Sequence, residues 1–275
     1  MQIREYSLPA GWFPHDSSSV SRFLSEFSGK PGSSQAAIAP HAGWYYSGRL
    51  ASLSVSSLKP DAQTVVVLGG HLSGSSPPLF AMEEAVRTPF GFMPIDKEFR
   101  FLLKKTIDGA EDRYHDNTIE VLLPMVHFFF PKASVLWLRL PANEQSFETG
   151  KTLSLIAAQL NRNVNVLASA DLTHYGANYG FSPKGTGQAA IRWVREENDA
   201  NFIRAVESGN SGEVLRCAEQ ERASCSAGAV LGVMGFAEAK GLGNAQLLEY
   251  ATSADVDGNK TPASFVGYAA MVFKA

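Results

Sequence analysis

His41 stands directly after the apolar run Ala36–Ala39, between Pro40 and Gly43. That setting predicts a tight turn which aims the imidazole over the end of a strand. His71 has the same setting after Val65–Leu68, reached through Gly69 and Gly70. Each histidine alone suits a hydrogen-bonded turn equally well. Together, at the ends of strands expected to lie near each other, they suit a pair of metal ligands, imidazole being the commonest protein ligand near neutral pH. Asp171 and His174 follow a third run, Val164–Ala168. Asp-x-x-His fits two metal ligands, an acid/base pair, or groups that orient a ligand from behind. A loop carboxylate capping backbone N–H groups is the plainer alternative. Cys225 is placed at the start of an expected helix, Ala227–Ala239, where the helix dipole favours the thiolate that binds metal or attacks. A buried inert cysteine is the competing reading.

The remaining chemically able residues read as structural. Asn117 or Asp116 can cap a short helix, with Glu120 closing a capping box three residues after Asn117. His115 precedes that cap. His127, beside Phe128–Phe130, reads as a core or helix-end histidine, and His15 as part of a helix start. Cys217 lies in the amphipathic segment Glu213–Glu219 and is assigned to packing. Gly150-Lys151-Thr152 ends like a phosphate loop, but Gln145 occupies the place of the first glycine and the segment reads as helix. No Gly-x-Ser-x-Gly elbow follows a strand.

The elements that must position these residues follow from hydrophobic patterning. Strands are expected at Ala36–Ala39, Val65–Leu68, Val135–Leu140, Val164–Ala168, Gln246–Tyr250 and Phe265–Val272. Several are continuous apolar runs without alternation, which suits strands covered on both faces. Helices are expected at Ser17–Phe27, Gly48–Leu58, Glu144–Leu160, Gly187–Val206 and Ala227–Ala239, the last capped by Ser226 or Ser224. A further helix starts at Asp96 and carries Phe99, Leu102, Leu103 and Ile107 on one face. Alternating strands and helices imply an α/β fold with a central, largely parallel sheet and helices on both faces. The last two strands lack a helix between them and are expected to pair antiparallel near an edge. In such sheets ligands bind beyond the carboxyl ends of the strands, where His41, His71 and Asp171 stand. The first, second and fourth runs should therefore be central neighbours.

Bulk properties narrow the class. The chain has 275 residues, 45% hydrophobic, with 24 Lys+Arg against 27 Asp+Glu and a net charge of −3. Nothing there points to nucleic acid or a membrane surface as partner. No linker or repeat divides residues 1–275, so one domain is expected. Two cysteines are too few for a disulfide framework. The N-terminus lacks an apolar run after its charged residues, and no stretch approaches the ~20 apolar residues of a membrane span. These features suggest a cytoplasmic protein.

The order of motifs resembles one family. It runs Ala10-Gly11-Trp12-Phe13-Pro14, Pro40-His41-Ala42-Gly43-Trp44-Tyr45-Tyr46-Ser47-Gly48, Leu68-Gly69-Gly70-His71, Thr88-Pro89-Phe90-Gly91 and Ile119-Glu120-Val121-Leu122-Leu123-Pro124. It continues with Ser169-Ala170-Asp171-Leu172-Thr173-His174-Tyr175-Gly176, Ser224-Cys225 and Ser264-Phe265-Val266-Gly267-Tyr268-Ala269-Ala270. Each motif is weak alone, but their shared order and spacing, from about residue 10 to the end, resembles the MEMO family, including the members called AmmeMemoRadiSam system protein B. That family is similar in fold to class III extradiol dioxygenases, which hold non-haem Fe(II) with two histidines and a carboxylate. It places a cysteine where the carboxylate stood. The resemblance implies His41, His71 and Cys225 as metal ligands, with Asp171 and His174 lining the site and His174 matching the dioxygenases' acid/base histidine. Two departures stand out. The family's usual Gly-Pro-Ser-His-His is here Gly69-Gly70-His71-Leu72, and its Glu-His-Ser is Asp116-Asn117-Thr118.

Three functions are compatible with these residues. The first is a redox enzyme using one transition metal, Fe(II) foremost and Cu or Zn as alternatives. The second is a non-catalytic protein that binds a peptide or protein partner in the same cleft, as the family's phosphopeptide-recognising branch suggests. The third is a metal-assisted hydrolase. The family name also implies a functional link to a radical SAM protein. Trp44, Tyr45 and Tyr46 are candidates to line the cleft for an aromatic small-molecule ligand, with core packing the equal alternative for aromatics after a strand.

Overall fold

The computed structural model describes residues 2–27, 32–258 and 260–275. In chain order the strands are β1 (Ile3–Arg4), β2 (Ala36–Ala39), β3 (Thr64–Gly69), β4 (Leu79–Phe80), β5 (Ala85–Thr88), β6 (Gly91–Pro94), β7 (Ala110–Glu111), β8 (Ser134–Arg139), β9 (Val164–Ser169), β10 (His174–Gly176), β11 (Ala245–Thr252) and β12 (Ser264–Phe273). The helices are α1 (Ser17–Phe27), α2 (Trp44–Ser56), α3 (Lys97–Thr106), α4 (Asn117–Glu120), α5 (Leu123–Phe129), α6 (Gln145–Gln159), α7 (Gln188–Trp193), α8 (Asp199–Glu207), α9 (Ser211–Glu221), α10 (Ala227–Lys240) and α11 (Ser253–Val256).

The centre of the main sheet has the order β2-β9-β3-β8, all parallel. Every residue of β2, β3 and β9 is buried, which is why these runs are apolar without alternation. α10 packs over β9, β2 and β3 and against α6, while α2 packs over β2 and β12 with α1 and α5 against it. α10 is almost entirely buried, from Ala227 to Ala237. Its approach to α6 needs glycine: a Cβ on Gly150 would stand 1.9 Å from the Gly232 carbonyl oxygen.

Register places the strand ends together. Ala39 pairs with Ser169, Leu68 with Ala168, and Gly69 with Arg139. The residues that follow β2, β3 and β9 therefore leave one edge of the sheet, as expected, with β9 in the middle. The last two strands pair antiparallel, and β12 also adds antiparallel to β2. On the far side β4 pairs antiparallel with β8 and parallel with β7. A separate three-stranded sheet, β1-β5-β6, was not legible in the sequence.

Local expectations fared unevenly. Asp96 caps α3 by accepting from the Phe99 N–H at 3.0 Å. The helix expected from Gly48 starts earlier, at Trp44, whose indole donates to the Val121 carbonyl at 3.1 Å. The segment Gly187–Val206 is helical but widens into a π turn at Val194–Asn198. Ser226 holds the cap position of α10 without a side-chain cap bond, and the Ser224 hydroxyl instead donates to the Asp171 carbonyl at 3.1 Å. The capping box at Asn117 does not form. Asp116, extended at φ −142°, is the cap of α4. Glu120 turns away to accept the Leu8 N–H and the Ser7 N–H and hydroxyl, which ties down the N-terminal segment.

Candidate metal centre

Three loops and one helix start converge at the carboxyl edge of the sheet. His41 is two residues past β2, His71 two past β3, and Asp171 two past β9. Cys225 precedes α10. A Cβ on Gly70 would lie 2.4 Å from the Ser226 Oγ, so only glycine lets the β3 loop press against the residue beside Cys225. The next residue, His71, has φ +59°, a left-handed conformation rare outside glycine that costs about 1–3 kcal/mol.

The ligand-type atoms of His41, His71 and Cys225 all lie within 4.8 Å of one another. His41 Nε2 is 3.4 Å from Cys225 Sγ. Two atoms bound at roughly 2.0–2.3 Å to one tetrahedral ion would be about 3.5 Å apart. The His41 and His71 rings meet edge to face, centroids 5.1 Å apart. His41 Nδ1 is 3.0 Å from the Ser169 hydroxyl, and His71 Nδ1 is 3.3 Å from Asp116 Oδ2. A carboxylate only accepts, so the His71 Nδ1 carries the proton and Nε2 is left for another partner; Ser169 can fix the same tautomer in His41. Oxygen acceptors behind the ring nitrogens are what metal-ligating histidines ordinarily have. One thiolate and two imidazoles suit Fe, Cu or Zn.

Charge reinforces the grouping. Burial alone would raise the Cys225 thiol, but His41 and His71 beside it bring its pKa well below the ordinary value. Burial disfavours the imidazolium of His71, yet Asp116 and Cys225 outweigh it and raise the group to about 10. His41 is likewise raised against its burial by Asp171 and Cys225. Burial would raise Asp116 too, but hydrogen bonds from His71 and Thr118 hold its carboxyl well below the usual range. Asp171 is pushed up by burial, with His41 only partly offsetting it. Among the three ligand-type residues, His41 is fully buried and His71 is the one open to solvent.

Asp171 and His174 do not play matching parts. Asp171 Oδ1 accepts the His41 N–H at 2.7 Å, and Oδ2 stands 3.8 Å from His41 Nε2. His174 is half-buried, with Nδ1 3.2 Å from the Leu172 carbonyl. That carbonyl can only accept, which leaves His174 Nε2 with its lone pair. Both residues line a cleft of about 680 Å³ that also reaches His41 and His71. Tyr45 and Tyr46 line it as well, but Trp44 is buried against Phe13 and Phe23 and does not. The other histidines lie elsewhere: His127 bonds Thr88 at 2.6 Å, His15 packs on Tyr6 and Phe13, and His115 pairs with Glu120 at 3.5 Å. Cys217 is buried in α9.

Three residues of the site escaped the sequence reading. Asp116 is the expected cap, and its other oxygen also serves His71 and the Arg139 guanidinium at 3.1 Å. Arg139 is itself buried in a two-bond pair with Asp112. Ser169, at the end of β9, was visible only as part of a motif. The signal for Asp116 lay in its position where the resembling family carries an acid.

Known proteins resemble this chain over nearly its whole length. A family model described as Memo-like protein matches residues 4–272. A MEMO1 family protein of Pyrococcus horikoshii is 27% identical over 99% of this chain and 100% of its own length. One from Archaeoglobus fulgidus is 28% identical with the same coverage, and one from Methanopyrus kandleri 29% over 86% of this chain and 82% of its own. A crystal structure of an uncharacterized protein from Escherichia coli K12 superposes with a TM-score of 0.43 at 13% identity, covering 78% of this chain and 87% of that one.

Proposed function

The chain belongs to the Memo-like family across residues 4–272, and on that premise we propose that it is a metal-dependent oxidoreductase whose single transition-metal ion, Fe(II) foremost, is held by His41, His71 and Cys225. The observation that carries the reading is the orientation of the two imidazoles. Each has an oxygen able to accept behind Nδ1, a hydroxyl for His41 and a carboxylate for His71, and His41 turns Nε2 to the Cys225 sulfur. When bound, such an ion supplies a redox-active Lewis acid with room for an exogenous ligand. The unbroken family match supports one domain over residues 1–275. Among the described residues no helix is long and apolar enough to cross a membrane.

The remaining roles follow from the contacts. Asp171 acts through His41, whose backbone N–H it fixes. His174 offers Nε2 to the cleft as the group that takes or gives a proton. Asp116 positions His71, and Arg139 and Thr118 hold Asp116 in place.

One metal ion per chain is expected after anaerobic purification, by elemental analysis. Protein that stays metal-free after anaerobic Fe(II) loading would sink the proposal. Affinity should rise with pH. In the metal-free protein His71 is held at about 10 and is cationic at neutral pH, so the ion must displace its Nε2 proton. Lower pH favours the proton, and affinity should climb about tenfold per pH unit for each proton displaced. Chelator competition at several pH values reads this directly; a flat profile would contradict it. In the same assay Asp116→Ala should weaken binding about 10–100-fold, the usual cost of losing a carboxylate behind a metal-bound histidine. Unchanged affinity would leave Asp116 as a helix cap alone.

A further inference from the structure

We propose that the cleft beside His41 and His71 takes a small organic ammonium, an amine carried on an apolar body, in preference to an anionic ligand. The inference rests on reading that cleft as the substrate side of the metal centre. Its volume of about 680 Å³ lies in the ~300–1,000 Å³ range of small-molecule sites.

The walls are aromatic: Trp12, Tyr45, Tyr46, Tyr179 and Tyr268 all line the cleft. Tyr45 is 68% exposed, and Tyr46 and Tyr179 each 37%. Elsewhere this protein sets its own cations over several aromatic rings. Arg87 sits 4.3 Å over Phe92, Lys105 4.3 Å over Phe101, and Arg222 5.0 Å over Phe181. Among the described residues, none of the cleft rings has such a partner, so they stand as unfilled cation–π acceptors.

The charge of the lining points the same way. Among the described residues no Lys or Arg lines the cleft, while Asp171 and Asp257 do. Behind His71, Asp116 is opposed by Arg139. Asp257, exposed at the rim, is left over with no ion pair among the described residues. Away from the metal position, a phosphorylated or carboxylated ligand would find no guanidinium or ammonium among the described lining residues to receive it.

The test titrates the metal-loaded full chain with phenethylamine and its near-isosteres phenethyl alcohol and phenylacetate, by calorimetry at low salt. Phenethylamine should bind at least tenfold more tightly than either. Tyr46→Leu should weaken it about two- to fivefold, as loss of a partly exposed cation–π contact does. Asp257→Asn should weaken it by about twofold, as loss of an exposed ion pair does, with phenethyl alcohol unaffected. Equal or tighter binding of phenylacetate, no binding of any probe at millimolar concentration, or an amine affinity indifferent to Tyr46→Leu would overturn the inference. Metal content is read on the same samples. A chain that prefers the amine but holds no metal overturns only the metal proposal, and a chain that holds metal without the preference overturns only this one.

Discussion

His174→Ala protein should keep its fold and its metal yet turn over about 10²–10⁴-fold more slowly, the usual worth of a positioned acid or base. The readout is anaerobically loaded enzyme consuming O₂ with a reductant or substrate. The backbone at His174 is held independently of its ring. β10 pairs with β12, and Thr173 donates its N–H and hydroxyl to the buried Asp199. Among the described residues the ring makes an edge contact with Tyr179 and the bond to the Leu172 carbonyl. Removing it therefore leaves the strand, the three ligand-type residues and their oxygen acceptors in place. Undiminished turnover in an active preparation would remove His174 from the chemistry and leave Asp171, which faces His41, as the titratable group nearest the ligand set.

Cys225→Ser and His41→Ala should each lose most of the bound metal, measured as ions per chain after the same anaerobic loading. The serine variant is the cleaner of the two. It keeps the shape of the α10 start and exchanges a soft, readily ionised thiol for a hydroxyl that stays protonated and binds Fe, Cu and Zn poorly. His41→Ala also strips Asp171 of its neighbour in a buried pocket, so some of its loss will be structural. His71→Ala separates the two effects, since that side chain is 32% exposed against 1% for His41, and its removal should cost metal with less cost in stability. Equal metal in wild type and all three variants would show that the cluster holds no ion.

The sequence carried the centre of the sheet clearly. β2, β3, β8 and β9 were legible because strands buried on both faces favour apolar side chains, and parallel register then put His41, His71 and Asp171 at one edge. Strands of two or three residues, such as β4, β7 and β10, carry too little pattern to be seen. The misreading at Asn117–Glu120 has a different cause. Asp116 caps its own helix and also bonds His71, 45 residues away, and Glu120 bonds Ser7 and Leu8, more than 110 residues away. Local capping rules cannot tell a carboxylate used at short range from one used across the fold. Cys225 shows the same limit. Its residue type and helix-start position made it a candidate, but no spacing rule says that the start of α10 meets the β3 loop. The contact of Gly70 with Ser226 is a property of packing alone, and only resemblance to a family supplied the third member of the cluster.

X-ray absorption at the metal edge tests the central claim most directly. One ion held by two imidazoles and the Cys225 thiolate predicts a single sulfur scatterer at about 2.3 Å and nitrogen scatterers at about 2.0–2.1 Å, the ordinary bond lengths for a zinc-loaded site of this kind. The sulfur shell should vanish in whatever metal Cys225→Ser retains. A first shell of nitrogen and oxygen alone in the wild-type chain, unchanged by Cys225→Ser, would contradict the account.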